Sequence, residues 1–233
     1  DQFYARRGSG DHAKGDGATD VKSDSKYITV SYNRYWDTGK SNMFGMKSES
    51  GPNYISYDHN WFDHADSRHP RVRTMSVHVW NNYFDNVAKY GVGATSGASV
   101  FVENNYFRNC KFPMLSSLQG NDVYAGTSQY KEDNNTFSGE SGGSIKSFGN
   151  VITGAQSSYW PYQATEMLTK GSMKSASSLG IDTNVHFDAY EAKSRNEAVP
   201  ATVKSVAGGN TYNNFDTNSS LMYDYMPDAA ADI

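Results

Sequence analysis

Two stretches of this chain, "VHVWNNYF" at residues 77–84 and "VFVENNYF" at residues 100–107, decide its fold. Each has a short alternating strand pattern, then two asparagines, then an aromatic pair. Variants of the same unit occur at residues 28–36, 54–62 and 130–137. Aligned on the last aromatic, the five units have intervals of 26, 22, 23 and 30 residues between Trp36, Phe62, Phe84, Phe107 and Phe137.

A repeat of about 22 residues built from strand, asparagine and aromatic is typical of a β-solenoid. Strands of four to six residues joined by turns suit the coils of a right-handed parallel β-helix. Asparagines at equivalent corners can stack and bond neighbouring turn amides, and the aromatics can stack inside as a ladder. Independent hairpins in a β-sandwich are the competing fold, but they would not repeat the same ending five times. We predict an all-β, parallel β-helix fold.

Composition narrows the function classes. The 233 residues include 21 Gly and 17 Tyr, which argues against a helical bundle. A single cysteine, Cys110, rules out an internal disulfide and a zinc site built from cysteines, and we expect it to be a small buried side chain. No apolar run approaches the roughly 18 residues of a membrane span. With a net charge of −4 and no extended basic stripe, we expect neither a membrane nor a nucleic-acid partner.

The second half of the chain is less regular. Residues 138–158 are rich in Gly and Ser and predict turns or a long loop, with a weaker repeat at Asn150. Residues 190–209 are predicted to be partly helical, and residues 227–233 resemble a helix start. No linker divides the chain, so we predict one β-helix domain over 1–233, regular at about 16–152 and irregular at 153–233. Because the chain begins abruptly, we expect it to be the C-terminal portion of a longer catalytic domain.

Charged residues recur at the same phase of the repeat. Asp20 precedes Lys40 by 20 residues and Lys40 precedes Arg68 by 28, each about one coil. Residues one coil apart lie about 4.8 Å apart along the stack, so acids, lysine and arginines should converge on one face. Asp16 and Asp20 would lie about 13 Å apart on a straight strand. They can share a cation only if the chain bends, which Gly17 permits, and an exposed acidic turn is the simpler alternative.

The region from about Asp16 to Pro113 resembles the pectate lyase family (polysaccharide lyase family 1). The resemblance is carried by "DGATDVKSDSKYITVSYNRYWDTGK", "HNWFDHADSRHPRVR", "VHVWNNYFDNVAKYGVGA" and "VFVENNYFRNCKFP". Its most specific part is the arginine–proline–arginine segment, 28 residues after a turn lysine and preceded by two aspartates four residues apart. It thins out after Phe137.

The resemblance implies a secreted enzyme that cleaves polygalacturonate, the acidic polymer of pectin, by Ca²⁺-dependent β-elimination to 4,5-unsaturated oligogalacturonides. It implies that Arg68 is the Brønsted base, that Lys40 and Arg73 bind substrate, and that Asp16 and Asp20 are calcium ligands. The remaining carboxylate ligands of the family would lie upstream of Asp1. We therefore expect an N-terminal fragment of the same precursor as a partner.

Other functions remain open from the residues alone. A pectin lyase would act on methyl-esterified pectin without calcium, and the two acids and Lys40 argue against it. A glycoside hydrolase on this scaffold would need Asp-rich signatures that the chain lacks. A non-catalytic β-helix that binds polysaccharide would not need the whole set of lysine, arginines and aspartates. Arg71 is predicted to face away from Arg68 and Arg73 and to form a structural surface pair.

Overall fold

The structure, a computed structural model, describes residues 15–46, 48–116, 140–203 and 223–233. Short strands account for most of the regular structure in these ranges. In chain order they are β1 (Asp16–Val21), β2 (Ile28–Ser31), β3 (Arg34–Trp36), β4 (Lys40–Phe44), β5 (Ile55–Asp58), β6 (Trp61–Asp63), β7 (Arg71–Arg73), β8 (Ser76–Trp80), β9 (Tyr83–Asp85), β10 (Tyr90–Thr95), β11 (Ser99–Glu103), β12 (Tyr106–Arg108), β13 (Phe112–Ser116), β14 (Ser144–Phe148), β15 (Val151–Thr153), β16 (Glu166–Thr169), β17 (Ser172–Ser175) and β18 (Tyr190–Glu191).

Three parallel sheets are built by taking every third strand. Sheet A has the order β1-β4-β7-β10-β13, sheet B the order β18-β14-β11-β8-β5-β2, and sheet C the order β15-β12-β9-β6-β3. The chain thus visits A, B and C in each coil and then stacks on the coil before it. This is the parallel β-helix that the repeat predicted. An antiparallel hairpin, β16 and β17, stands outside the three sheets.

A ladder of five asparagines runs along the corner between sheets B and C. The side-chain oxygen of each member after the first accepts hydrogen bonds from the backbone N–H and the side-chain amide of the asparagine one coil earlier, at 2.9–3.1 Å. These four oxygens therefore satisfy four turn amides, three of which belong to buried asparagines. The members are Asn33, Asn60, Asn82, Asn105 and Asn150.

The residue just before each ladder asparagine adopts a left-handed backbone. Its φ is +48° at Asn81, +49° at Asn104 and +66° at Gly149. The repeat contains two successive asparagines because the first forms the turn and the second joins the ladder. At Gly149 a Cβ would lie 2.0 Å from the side-chain oxygen of Asn104, so a larger residue there would require the Asn104 side chain to move.

An aromatic ladder fills the interior, as predicted, but with one change of register. Tyr35 stacks on Phe62 at 5.2 Å, Phe62 on Phe84 at 4.8 Å, and Phe84 on Phe107 at 4.3 Å. Trp36, which the alignment placed in this ladder, pairs with Asp63 and is 51% exposed. Side chains alternate across a strand, so a one-residue error in alignment moves the wrong residue inward.

The second half departs from the sequence predictions in two ways. Residues 144–153, predicted to be turns or loop, form β14 and β15 and continue the coils through Asn150. The described part of residues 190–209 contains no helix, and the C-terminus has only a short 3₁₀ turn at 230–232. No helix in the described ranges is long and apolar enough to cross a membrane. Phe137, the fifth repeat aromatic, lies outside the described residues.

The C-terminal segment covers the outer side of sheet B. His78 and Glu103 are both fully buried there and lie 3.1 Å apart, ring nitrogen to carboxylate oxygen. Glu103 also accepts hydrogen bonds from the Tyr225 hydroxyl at 2.6 Å and from Arg195 at 2.7 Å. Burial alone would raise the pKa of Glu103, but His78, Tyr225 and Arg195 together lower it. A buried carboxylate thus ties the tail to the solenoid.

Candidate active site

Four of the five predicted site residues lie on consecutive strands of sheet A, and Arg68 lies in the segment between β6 and β7. In the ladder between β1 and β4, Asp16 pairs with Lys40. Lys40 in turn forms a parallel bridge with Ser67, the residue before Arg68. An acid, the lysine and the catalytic-base candidate therefore lie on successive coils of one sheet, separated along the stack by one strand spacing each. Asp20, which the interval of 20 residues placed one coil before Lys40, pairs instead with Met43 of β4.

The bend required between the two aspartates is also present. Gly17 has a φ of +76°, and the pairing of β1 with β4 shifts register between Asp16 and Thr19. The Asp20 carboxylate folds back over this bend, with its oxygens 3.2 and 3.4 Å from where a Cβ on Gly17 would stand. Asp20 is exposed and lies 3.6 Å from the Lys22 ammonium. Carboxylate oxygens suit a hard cation such as Ca²⁺, but two aspartates supply only part of its usual six to eight ligands.

Arg68 lies in a segment that hydrogen-bonds to the coils on both sides of it, through β4 and β10. Its carbonyl accepts a hydrogen bond from the Asn42 N–H at 2.8 Å, and the next residue, His69, donates its N–H to the Gly91 carbonyl at 2.9 Å. Arg68 itself has a φ of +68° and is half-buried. Left-handed residues other than glycine recur at the turns of this fold, as at Asn81 and Asn104, so Arg68 has a turn conformation that the coils use repeatedly.

Arg71 and Arg73 project from the same face of β7, because Val72 between them points into the core and is fully buried. The prediction that Arg71 faces away from Arg73 is therefore wrong, since residues two apart on a strand share a face. Both guanidinium groups bind the Glu140 carboxylate. Arg71 donates to it at 2.8 Å, and Arg73 donates at 3.0 Å through Nε and at 2.6 Å through Nη2.

Tyr90 lies buried beneath the arginines. Burial raises the pKa of its phenol, while the charges of Arg71, Arg68 and Arg73 and a hydrogen bond from Arg68 act in the opposite direction. One hydroxyl is thus within the field of all three guanidinium groups and in direct contact with one of them. This contact restricts the orientation of the Arg68 side chain.

His69, inside the arginine segment, faces the interior of the solenoid. It is fully buried, packs on Phe62 at 4.8 Å, and bonds the Tyr90 carbonyl through Nδ1 at 3.0 Å. Burial lowers the pKa of His69 to about 3, so the ring is neutral near pH 7. It supports the segment from below and does not meet a substrate.

Sequence reasoning missed Tyr90 and Glu140. Tyr90 follows Arg68 by 22 residues, the usual coil interval, so the repeat itself contained a signal. Glu140 lies 67 residues after Arg73, in a Gly/Ser-rich stretch with no motif. Only the folded chain brings it to the arginines.

A second acidic group lies elsewhere, on sheet C. Ligand atoms of Asp63, His64 and Asp85 are within 4.8 Å of one another. Both carboxylates already bind an arginine, since Arg34 pairs with Asp63 and Arg108 pairs with Asp85 at 2.7 Å. This group is on a different sheet from Asp16 and Asp20, and its negative charge is compensated by the two arginines.

Comparison with known proteins follows this geometry. A family model described as pectate lyase matches residues 2–184. The chain is 34% identical over 147 residues to a pectate trisaccharide-lyase of Bacillus licheniformis, which covers 63% of the chain and 40% of that relative. It is 31% identical over 136 residues to a pectate lyase of Bacillus subtilis, covering 54% of the chain and 31% of the relative. The chain therefore spans less than half the length of these curated relatives.

Among solved structures, a thermostable pectate lyase is 34% identical, with a TM-score of 0.36, over 40% of this chain and 25% of its own. A pectate lyase bound to a hexasaccharide is 24% identical, with a TM-score of 0.42, over 80% of this chain and 40% of its own.

Proposed function

The chain belongs to the pectate lyase family, and on this premise we propose that it acts as a calcium-dependent pectate lyase on polygalacturonate. The observation that carries the proposal is the register of sheet A, in which Asp16, Lys40 and the residue before Arg68 are consecutive neighbours. A lyase for a polymer of uronic acids needs cations for the substrate carboxylate and a base beside them. The candidates for these tasks are Lys40 and Arg73 as the cations and Arg68 as the base.

The reaction removes the proton on C5 of a galacturonate, which lies α to the carboxylate. Lys40 binds that carboxylate and stabilises the charge that develops on it as the proton leaves. Arg68 accepts the proton in its neutral guanidine form, the C4–O4 bond breaks, and a C4–C5 double bond forms. The departing O4 takes a proton from solvent. The product carries a 4,5-unsaturated sugar at its new end.

Arg68 is an unusual base, because a guanidinium holds its proton at ordinary pH. Tyr90 holds the side chain in place by its hydrogen bond, so the lone pair needs no reorientation at the moment of reaction. We expect the rate to rise towards alkaline pH as the neutral fraction grows.

Asp16, Asp20 and substrate carboxylates are the proposed calcium ligands, completed by groups outside the described bend. When bound, Ca²⁺ would withdraw charge from the substrate carboxylate and add to the effect of Lys40. Arg73 is the proposed second substrate ligand. Polygalacturonate is an extracellular polymer, so the protein would act outside the cell.

The test measures ultraviolet absorbance of unsaturated product from polygalacturonate, with Ca²⁺ and then with a chelator. We expect cleavage with Ca²⁺, loss of cleavage with chelator, and a drop of about 10²–10⁴-fold in kcat/KM for Arg68→Ala. The matched control is Arg34→Ala, an arginine on sheet C whose side chain is 53% exposed. Chelator-insensitive activity, or greater activity on methyl-esterified pectin, would point to a pectin lyase. Binding without cleavage would point to a polysaccharide-binding protein.

A further inference from the structure

We infer that Glu140 is a positioning residue of the substrate site, which locks the Arg73 guanidinium by one edge so that its other edge is presented to a uronate carboxylate. The inference rests on the proposed function, because it assigns Glu140 a task within the same cleft. It concerns a residue that contacts neither substrate nor metal in the proposed mechanism.

The contacts define which edge of Arg73 is held. A guanidinium has two edges that can bind a carboxylate with two parallel hydrogen bonds, one through Nε and Nη2 and one through Nη1 and Nη2. Glu140 occupies the first edge, with Oε2 3.0 Å from Nε and Oε1 2.6 Å from Nη2. The Nη1 group contacts the Met43 sulfur at 3.5 Å. One N–H on Nη1 and one on Nη2 have no partner among the described residues, and they form the second edge.

Glu140 is itself held from several sides, which makes it a rigid anchor. Arg71 donates to Oε2 at 2.8 Å, Thr95 also hydrogen-bonds the carboxylate, and the Ser96 hydroxyl lies 3.5 Å away. Only 17% of the Glu140 side chain is exposed, against 5% for Arg71 and 14% for Arg73. Three side chains with so little solvent cannot change partners without leaving a buried charge uncompensated.

The negative charge of Glu140 keeps the ion pairs with Arg71 and Arg73 intact over the working pH range. Burial would raise the pKa of Glu140, but the hydrogen bond from Arg73, the charge of Arg71 and the Thr95 contact together lower it to about 2. The carboxylate is therefore ionised at any pH at which the lyase would act. A substrate carboxylate also cannot readily displace it, because an intramolecular partner acts at a high effective concentration. Substrate should instead meet Arg73 on its second edge.

Removal of Glu140 should leave a carboxylate-sized gap between two buried guanidinium groups. In Glu140→Ala, Arg73 loses its anchor and becomes free to rotate, so we expect KM for polygalacturonate to rise about tenfold or more while kcat changes much less. Formate is itself a carboxylate that accepts hydrogen bonds from guanidinium groups, so it should fill the gap. It should lower KM of the variant towards the wild-type value and raise its melting temperature, with neither effect on the wild type.

The experiment compares wild type, Glu140→Ala, Glu140→Gln and the control Glu166→Ala, with and without formate. Glu166 is an exposed glutamate on the hairpin strand β16. Glu140→Gln keeps the shape and one acceptor oxygen, so its KM should rise above that of the wild type by a smaller factor than in Glu140→Ala. This rise can be measured even if the alanine variant fails to fold. An unchanged KM in Glu140→Gln, or a raised KM in a folded Glu140→Ala that formate does not affect, would overturn the inference. A wild-type protein that cleaves no polygalacturonate would instead refute the proposed function.

Discussion

The asparagine ladder offers a sharp test of what holds the coils together, through the substitution Asn82→Ala at its centre. The Asn82 side-chain amide donates to the carbonyls of Tyr57 at 2.9 Å and Trp80 at 3.0 Å, and to the Asn105 side-chain oxygen at 2.9 Å. Its oxygen accepts from the Asn60 backbone N–H at 2.9 Å and from the Asn60 amide at 3.0 Å. The substitution removes all five bonds while leaving the backbone unchanged.

The cost follows from what is left behind. A typical hydrogen bond contributes about 1 kcal/mol net, but a buried group left without a partner costs about 1–3 kcal/mol. Asn60 is 1% exposed, and its backbone N–H donates to the Asn82 oxygen that the substitution deletes. With partial compensation among the other four bonds, we expect a loss of about 3–5 kcal/mol in the free energy of unfolding.

The measurement is equilibrium urea unfolding. The slope m is compared between variants, because an unchanged m shows that the compactness of the unfolded state is unchanged. Asn33→Ala is the matched control, since Asn33 is exposed and its side chain makes only two hydrogen bonds, to Ser31 and Asn60. We expect this variant to lose about 1 kcal/mol or less. If Asn82→Ala cost no more than Asn33→Ala, the ladder would not be a source of stability and the reasoning would fail.

Two further outcomes follow from buried polar groups. Because burial lowers the pKa of His69 to about 3 from its ordinary 6.5, the unfolded state binds more protons between these values, and stability should rise with pH across the window and level off above it. Glu140 titrates only below about pH 4.5, so it does not contribute between about pH 5 and 6.5. In this window, a plot of the free energy of unfolding (from urea unfolding) against pH should be flatter for His69→Leu than for the wild type. An unaltered slope would contradict this assignment. Tyr225→Phe removes the 2.6 Å hydrogen bond to the buried Glu103 and should cost about 1.5 kcal/mol in thermal unfolding. Tyr32→Phe, at a tyrosine 77% exposed, should cost nothing measurable, and equal melting temperatures for both variants would argue against the tail network.

One error of prediction arises because a repeat specifies a unit but not its phase. Trp36 and Tyr35 are adjacent aromatics, and the pattern alone could not say which one points inward. The pairing of Tyr35 with Phe62 decides it. Likewise, the Gly/Ser-rich stretch that contains β14 was predicted to be loop because its composition is poor in strand formers, yet the edge of β11 provides a template for pairing.

The sequence by itself determined the coil and the approximate stacking of its charges, because the repeat of strand, asparagine and aromatic is local and each unit carries its own turn and core residue. It also indicated that Asp16, Lys40 and the segment that carries Arg68 lie on successive coils, since intervals of about one coil separate them. Only the tertiary structure decided what surrounds the arginines. The contact of Arg73 with Glu140 joins residues 67 positions apart in the sequence, and no periodic pattern encodes it. Glu140 anchors the Arg73 guanidinium because of the direction and burial of its side chain, and residue type alone does not predict either.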